Sequence, residues 1–308
     1  MMRAKRKVLT AAVLAAMMTV QTPLSVFADI APGTTYVALG ADLTEEQKNQ
    51  VLELLEVTQD QLAGDKVVTI TNAEEHQYLD SYIDYDTIGT TAISSTKVIA
   101  QKSGYGIHVT TKNVGYCTVE MYQNALATSG VKDADVIVAG PIPVSGTAGL
   151  LGAMKAYTEM SGEALKAENV DAATNELVTT SKLGEKIGDP LKASELIAAA
   201  KTKVAEEAKK NGGELSDEQI VKIVVEIAAK LEITLSDEDK QQIVELLKKI
   251  PNLDIDISDL KSQAAGIYEK LTKAGIDFGV TKEKAVGLFG KIAGWFRSVG
   301  GWFADLFN

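Results

Sequence analysis

The sequence predicts an α+β protein: an N-terminal α/β layered domain on a small mixed sheet, then an all-helical C-terminal domain. Three observations predict it. Up to about residue 160, short β-branched runs alternate with stretches of helical period. Near Ser161-Gly162 the strand signal fades, and Ala, Glu, Lys and Leu take over. From there, acidic or Ser-led helix starts and Gly or Pro stops recur at helix-length intervals. The expected organisation is a leader over 1–28, an α/β domain over 29–160, a helical domain over 161–281, and an amphipathic aromatic helix over 282–308.

The leader has the three parts of a secretory signal peptide. Arg3, Lys5, Arg6 and Lys7 form a positive start, 8–20 is an apolar run, and Val26-Phe27-Ala28 is a small-x-small cleavage site. The apolar run is too short to span a bilayer as a stable helix. The mature chain is expected to begin at Asp29 and to work outside the cytoplasm, in association with the cell envelope. Four of the 31 Lys and Arg lie in the leader, so 27 cations face 42 acids and the mature net charge is −15. Such a chain repels nucleic-acid phosphates, so no nucleic-acid partner is expected. A single cysteine, Cys117, excludes an intrachain disulfide.

In the first half, 36–39 reads as a strand. Thr44 and Gln47 form a capping box for a helix carrying Val51, Leu52, Leu54 and Leu55. A strand over 66–71 follows, then a helix capped by Asn72. The stretch 93–102 with 106–112 reads as a β-hairpin around Ser103-Gly104-Tyr105-Gly106. A helix over 119–128 stops at Gly130. A strand over 134–139 is ended by Pro141-Ile142-Pro143, and Gly146-Thr147 opens a helix to about Met160. The layers are expected to be a small mixed sheet with helices on one face. In the second half, helices are expected at 163–186, 191–211, 217–231, 237–250, 257–275 and 282–307. Leu43-Thr44-Glu45-Glu46-Gln47, Leu215-Ser216-Asp217-Glu218-Gln219 and Leu235-Ser236-Asp237-Glu238-Asp239 echo one another. Convergent capping explains this, and a duplicated helical unit is the alternative.

Several of these segments carry a resemblance. They are 39–44 (LGADLT), 68–79 (VTITNAEEHQYL), 130–136 (GVKDADV) and 143–150 (PVSGTAGL). As a set they resemble the YpuA-like DUF1002 family. The resemblance implies an exported Gram-positive bacterial protein without an assigned activity, and so supplies a compartment but no mechanism.

The chemistry-bearing residues are few. His76, with Asp80 at i+4 and Glu75 beside it, fits a general base oriented by a carboxylate or a metal site, or else a helix-surface or cap residue. His108 alternates with Ile107 and Val109 and is expected to face outward. Cys117 lies among Tyr116, Val119 and Met121 and reads as a small buried apolar residue. Ser94-x-x-Lys97 has the spacing of penicillin-recognising enzymes, but in a β-like context and without the partner motifs. Asp254, Asp256, Ser258 and Asp259 read as a linker into a Ser258-capped helix rather than a calcium loop, because Asp259 stands where that loop needs Gly. No metal, cofactor or catalytic residue is assigned. Ser145, Gly146 and Thr147, in a strand-to-helix turn, are a candidate anion-binding site through free backbone N–H groups. Close packing of small residues explains the same turn.

The last segment stands apart. Phe289, Ile292, Trp295, Phe296, Val299, Trp302, Phe303 and Phe307 recur at helical spacing with Leu288 and Leu306, within an arc of about 140°. Three homes are open to such a face: the protein's own core, another chain, or a membrane surface. The expected function is a non-catalytic binding or scaffold role in the envelope, with this helix touching a membrane surface or a protein partner. The alternative is an extracytoplasmic hydrolase using the His76 region and the 145–149 turn.

Overall fold

The structure, a computed structural model, describes residues 30–62, 66–253 and 255–273. The expected leader, 1–28, and the aromatic segment 282–308 lie outside the described residues. The first half carries β1 (Thr35–Gly40), α1 (Glu45–Leu54), β2 (Val67–Ile70), α2 (Asn72–Leu79), α3 (Tyr85–Ile88), β3 (Ser95–Ala100), β4 (Ile107–Val114), α4 (Val119–Ser129), β5 (Ala134–Val144) and α5 (Thr147–Ser161). The second half carries α6 (Ala167–Ile187), α7 (Pro190–Asn211), α8 (Asp217–Lys230), α9 (Asp237–Leu247) and α10 (Ile257–Lys273). This is the expected α+β arrangement, and the helix starts follow the sequence signals. Thr44, Ser216 and Ser236 each close a reciprocal capping box. The α2 cap is Thr71 rather than Asn72: its hydroxyl accepts from the Glu74 amide, while Glu74 answers to the Thr71 amide. Before α10 the capping side chain is Asp256 rather than Ser258, and its carboxylate accepts from the Ser258 amide at 2.8 Å.

The sheet is mixed, in the order β2-β1-β3-β5-β4. β1 pairs with β2 in parallel, β3 is antiparallel to both β1 and β5, and β4 runs parallel to β5. The expected hairpin is therefore not formed. β5 inserts between β3 and β4, because its 11 residues carry the Val136 and Val138 side chains that the core needs at the sheet centre. Nor do the prolines end β5. Its pairing to β3 stops at Ala139, so Pro141 and Pro143 lie where one side is unpaired and a missing N–H is tolerated. β4 keeps contact across a bulge at Asn113, which sits at φ 58° and whose side-chain Nδ2 donates to the Gly140 carbonyl.

Alternation along the strands sends residues to two faces. Ala38, Val98, Val136 and Val138 face α4 and α5. Val37, Leu39 and Ala139 face Val51, Leu52 and Leu55 from α1 and the turn after it. Helices thus cover both faces of the sheet rather than one, since β1 and β5 carry apolar residues on either side. α5 lies tight on the sheet through its glycines: a Cβ on Gly149 would sit 2.4 Å from Val138 Cγ1. The main hydrophobic cluster runs from the sheet through α4 into α6 and reaches Leu260 of α10. A second cluster gathers α7, α8 and α9. No described helix is long and apolar enough to cross a membrane.

Candidate functional site

The strand-to-helix turn after β5 and the helix α2 meet. Gly146 holds the left-handed conformation, φ 96°, that turns the chain into α5. Its carbonyl accepts from the buried Tyr122 hydroxyl at 2.5 Å. In the first turn of α5, the Gly149 amide donates to Ser94 Oγ at 2.8 Å. Thr147 Oγ1 donates to Glu75 Oε1 at 2.7 Å and lies 3.1 Å from Ser145 Oγ. Glu75, 1% exposed, arrives on the Leu79 stripe of α2. Burial pushes its carboxyl above the ordinary range; hydrogen bonds from Thr147 and Asn72 and the nearby His76 oppose that shift. Together Glu75, Thr87, Gly89, Ser94 and Ser145 border a cleft of about 170 Å³.

This places the His76 region and the 145–149 turn side by side, joined by Glu75. A helix start attracts negative charge, and here a carboxyl of the same chain stands at it. His76 itself points elsewhere. Nδ1 lies 2.6 Å from Asp80 Oδ1, Nε2 lies 3.1 Å from the Gly89 carbonyl, and the ring stacks on Tyr85 at 4.3 Å. Both partners are acceptors, so the arrangement suits the protonated ring, which can donate from each nitrogen. The Asp80 bond, then the Gly89 carbonyl, hold the imidazole above its ordinary value. These contacts tie the Tyr85–Gly89 stretch to α2 and engage both ring nitrogens away from Ser145.

The other candidates are separate. His108 is exposed on β4 and meets Tyr105 edge-on at 4.5 Å. Cys117 is fully buried, which pushes its thiol up to about 12, far from a thiolate nucleophile. Ser94 accepts from Gly149, and Lys97 Nζ donates to the Glu56 carbonyl at 2.9 Å, so the two form no catalytic pair. Asp254 lies outside the described residues. Among the described residues, no group of three or more His, Cys, Asp or Glu side chains is arranged to hold a metal ion.

Sequence reasoning missed Glu75 and a deeper network. Lys201 Nζ, fully buried on α7, donates to the Asn124 carbonyl at 2.8 Å, to Thr128 Oγ1 at 2.8 Å and to Glu176 Oε1 at 2.7 Å. Thr128 also donates to Glu176 Oε2. Three protons meet three acceptors, so the ion pair tying α4, α6 and α7 is satisfied. The signal was available: Lys201 interrupts the Ile197-Val204-Ala208 stripe, and Glu176 the Ala173-Leu177-Thr180 stripe.

The family model "Protein of unknown function (DUF1002)" matches residues 39–267. A Bacillus subtilis (strain 168) protein described as "Uncharacterized protein YpuA" is 43% identical over 259 residues, covering 84% of this chain and 86% of that one. No solved structure matches the chain. With a family model over most of the chain and a relative matched over 84% of it, the chain belongs to the DUF1002 family.

Proposed function

We propose that the protein is exported and acts in the cell envelope as a non-catalytic binding or scaffold protein, with the C-terminal aromatic segment as its contact surface. The observation that carries the reading is the clustering of both tryptophans and four of six phenylalanines on one predicted helical arc. Full burial of each large side chain is worth about 1.5–3 kcal/mol, so a face of this size favours cover from a membrane surface or a partner. The positive leader supports export. The engagement of His76, Cys117, Ser94 and Lys97 in fixed internal contacts supports binding over catalysis.

Trp295 and Trp302 are the only tryptophans, so their emission reports this segment alone. The test compares the mature protein from Asp29 with a chain ending at Lys284, with and without phosphatidylcholine–phosphatidylglycerol vesicles. Red emission that moves blue with vesicles, with vesicle binding lost on truncation, is the expected membrane result. Emission already blue and unchanged by vesicles, from a monomer, would mean the segment belongs to the protein's own core and the reading fails. The same blue emission from a dimer that truncation dissolves would make a second copy the partner.

A further inference from the structure

A second cleft lies at the other end of the sheet, between the 103–106 loop, the end of α4 and α10. Its volume is about 350 Å³, at the small end of ligand sites, which run from roughly 300 to 1,000 Å³. One wall is rigid. Gly104 and Gly106 sit at φ 80° and 79°, where a side chain would be strained. The Gly106 amide donates to Asp133 Oδ1 at 2.8 Å, and the Ala134 amide returns a bond to the Gly106 carbonyl at 2.9 Å. The Tyr105 hydroxyl donates to Asp135 at 2.9 Å, which fixes that ring at the cleft beside His108.

The opposite wall is one stripe of α10: Asp259, Ser262, Gln263 and Gly266, spaced i, i+3, i+4 and i+7. Gln263 is the unusual member. It is 8% exposed and lines the cleft. Its amide makes no hydrogen bond to another described residue and its atoms are not among the buried unpaired ones, so water reaches it in the cleft and a ligand can take the place of that water. The remaining polar groups narrow the chemistry. Asp133 and Asp259 outnumber Lys132, so an anion is repelled. Burial, then the neighbouring Asp256 and Asp133, push the Asp259 carboxyl up, with Lys132 opposing. A simple cation would satisfy the carboxylates and leave the amide N–H groups of Gln263 unanswered.

We propose that this cleft binds a neutral polyhydroxylated ligand, a saccharide unit. Its hydroxyls can donate to Asp259 and Asp133 and accept from the Gln263 amide. Its C–H face fits the apolar share of the wall, from Ile107, Ala127 and Val131 with the Tyr105 ring. The inference is independent of membrane contact, since vesicle binding and saccharide binding are separate readouts on the same chain.

The test is calorimetric titration of the full mature chain with triacetylchitotriose and maltotriose, with spermidine as the cation probe. At least one saccharide is expected to bind with Kd on the order of 1 mM or tighter. Gln263→Leu should weaken it about tenfold, the effect of one lost hydrogen bond with a polar group left unpaired. Gly266→Met fills the mouth of the cleft at a helical position where an added Cβ meets nothing within 4 Å. It should abolish binding and leave thermal unfolding unchanged. Failure of both saccharides to bind overturns the proposal. So does binding that survives Gly266→Met in a folded protein, or binding of spermidine in place of the saccharides.

Discussion

Lys201→Met removes the cation from the buried network while keeping most of the side-chain volume. Lys201 and Glu176 are 0% and 1% exposed at the side chain, so no solvent screens the pair. The substitution deletes three hydrogen bonds from Nζ and leaves the Glu176 carboxylate with the Thr128 hydroxyl alone. Breaking one side of a buried pair costs about 3–5 kcal/mol. For a domain of this size that lowers Tm by about 6–20 °C. The loss should depend on pH. Burial already raises the Glu176 carboxyl, with Lys201 opposing, and without Lys201 the rise is larger. A carboxyl raised in the folded state gives stability that is present below its unfolded value and is lost as pH rises through the folded one. The deficit should therefore shrink as pH falls from about 8 to about 5. The double variant Lys201→Met/Glu176→Leu should recover most of it, since an apolar pair of similar volume is often neutral or better. Urea unfolding followed by far-ultraviolet circular dichroism measures the wild type, Lys201→Met, Glu176→Leu and the double variant, with equal slopes required for comparison. A single-variant loss below about 1 kcal/mol, or a double variant as unstable as the two single losses added, would refute the reasoning.

Three further outcomes follow from the packing. Glu195 on α7 is 3% exposed, one of its oxygens has no partner, and burial raises its carboxyl well above the ordinary range. The fold therefore holds a proton that the unfolded chain releases, and stability should fall with rising pH by up to about 1.4 kcal/mol per unit; Glu195→Gln should flatten that slope in urea titrations. Cys117 should resist a thiol reagent at pH 8 in the native protein and label fully in denaturant, because the thiol is buried and held up to about 12. Gly40→Ala should cost about 1–3 kcal/mol in thermal unfolding, because its Cβ would stand 2.3 Å from the Ala92 carbonyl oxygen, a backbone atom that cannot swing aside.

The legible parts of the fold were those set by neighbours in sequence. Ser216, Ser236 and Thr44 announce their helices because a cap is a contact over three residues. Gly130, Gly212 and the other left-handed stops work the same way. Cys117 buried and His108 outward could be read from the apolar or alternating residues beside them. Strand order could not. The place of β5 between β3 and β4 is decided by which apolar faces pair across long separations, and two flanking runs with a Gly-rich middle looked like a hairpin. At the candidate site, the turn at Ser145, Gly146 and Thr147 was visible as a motif. Its partner Glu75 was not, because 72 residues separate them and a glutamate on α2 reads as surface. Lys201 and Glu176 show the same limit: each breaks an apolar stripe visibly, yet only the fold says that they meet.

The measurement that bears most directly on the proposed role is fractionation of cells of a Gram-positive host expressing the full chain, or the chain ending at Lys284. Each fraction is read by immunoblot and by N-terminal sequencing. The account predicts that the full chain is processed at Asp29 and recovered with the cell envelope, and that the shortened chain is processed at the same point and released to the medium. Unprocessed protein in the cytosol would contradict the export reading. Equal envelope recovery of both chains would contradict the assignment of contact to the C-terminal aromatic segment.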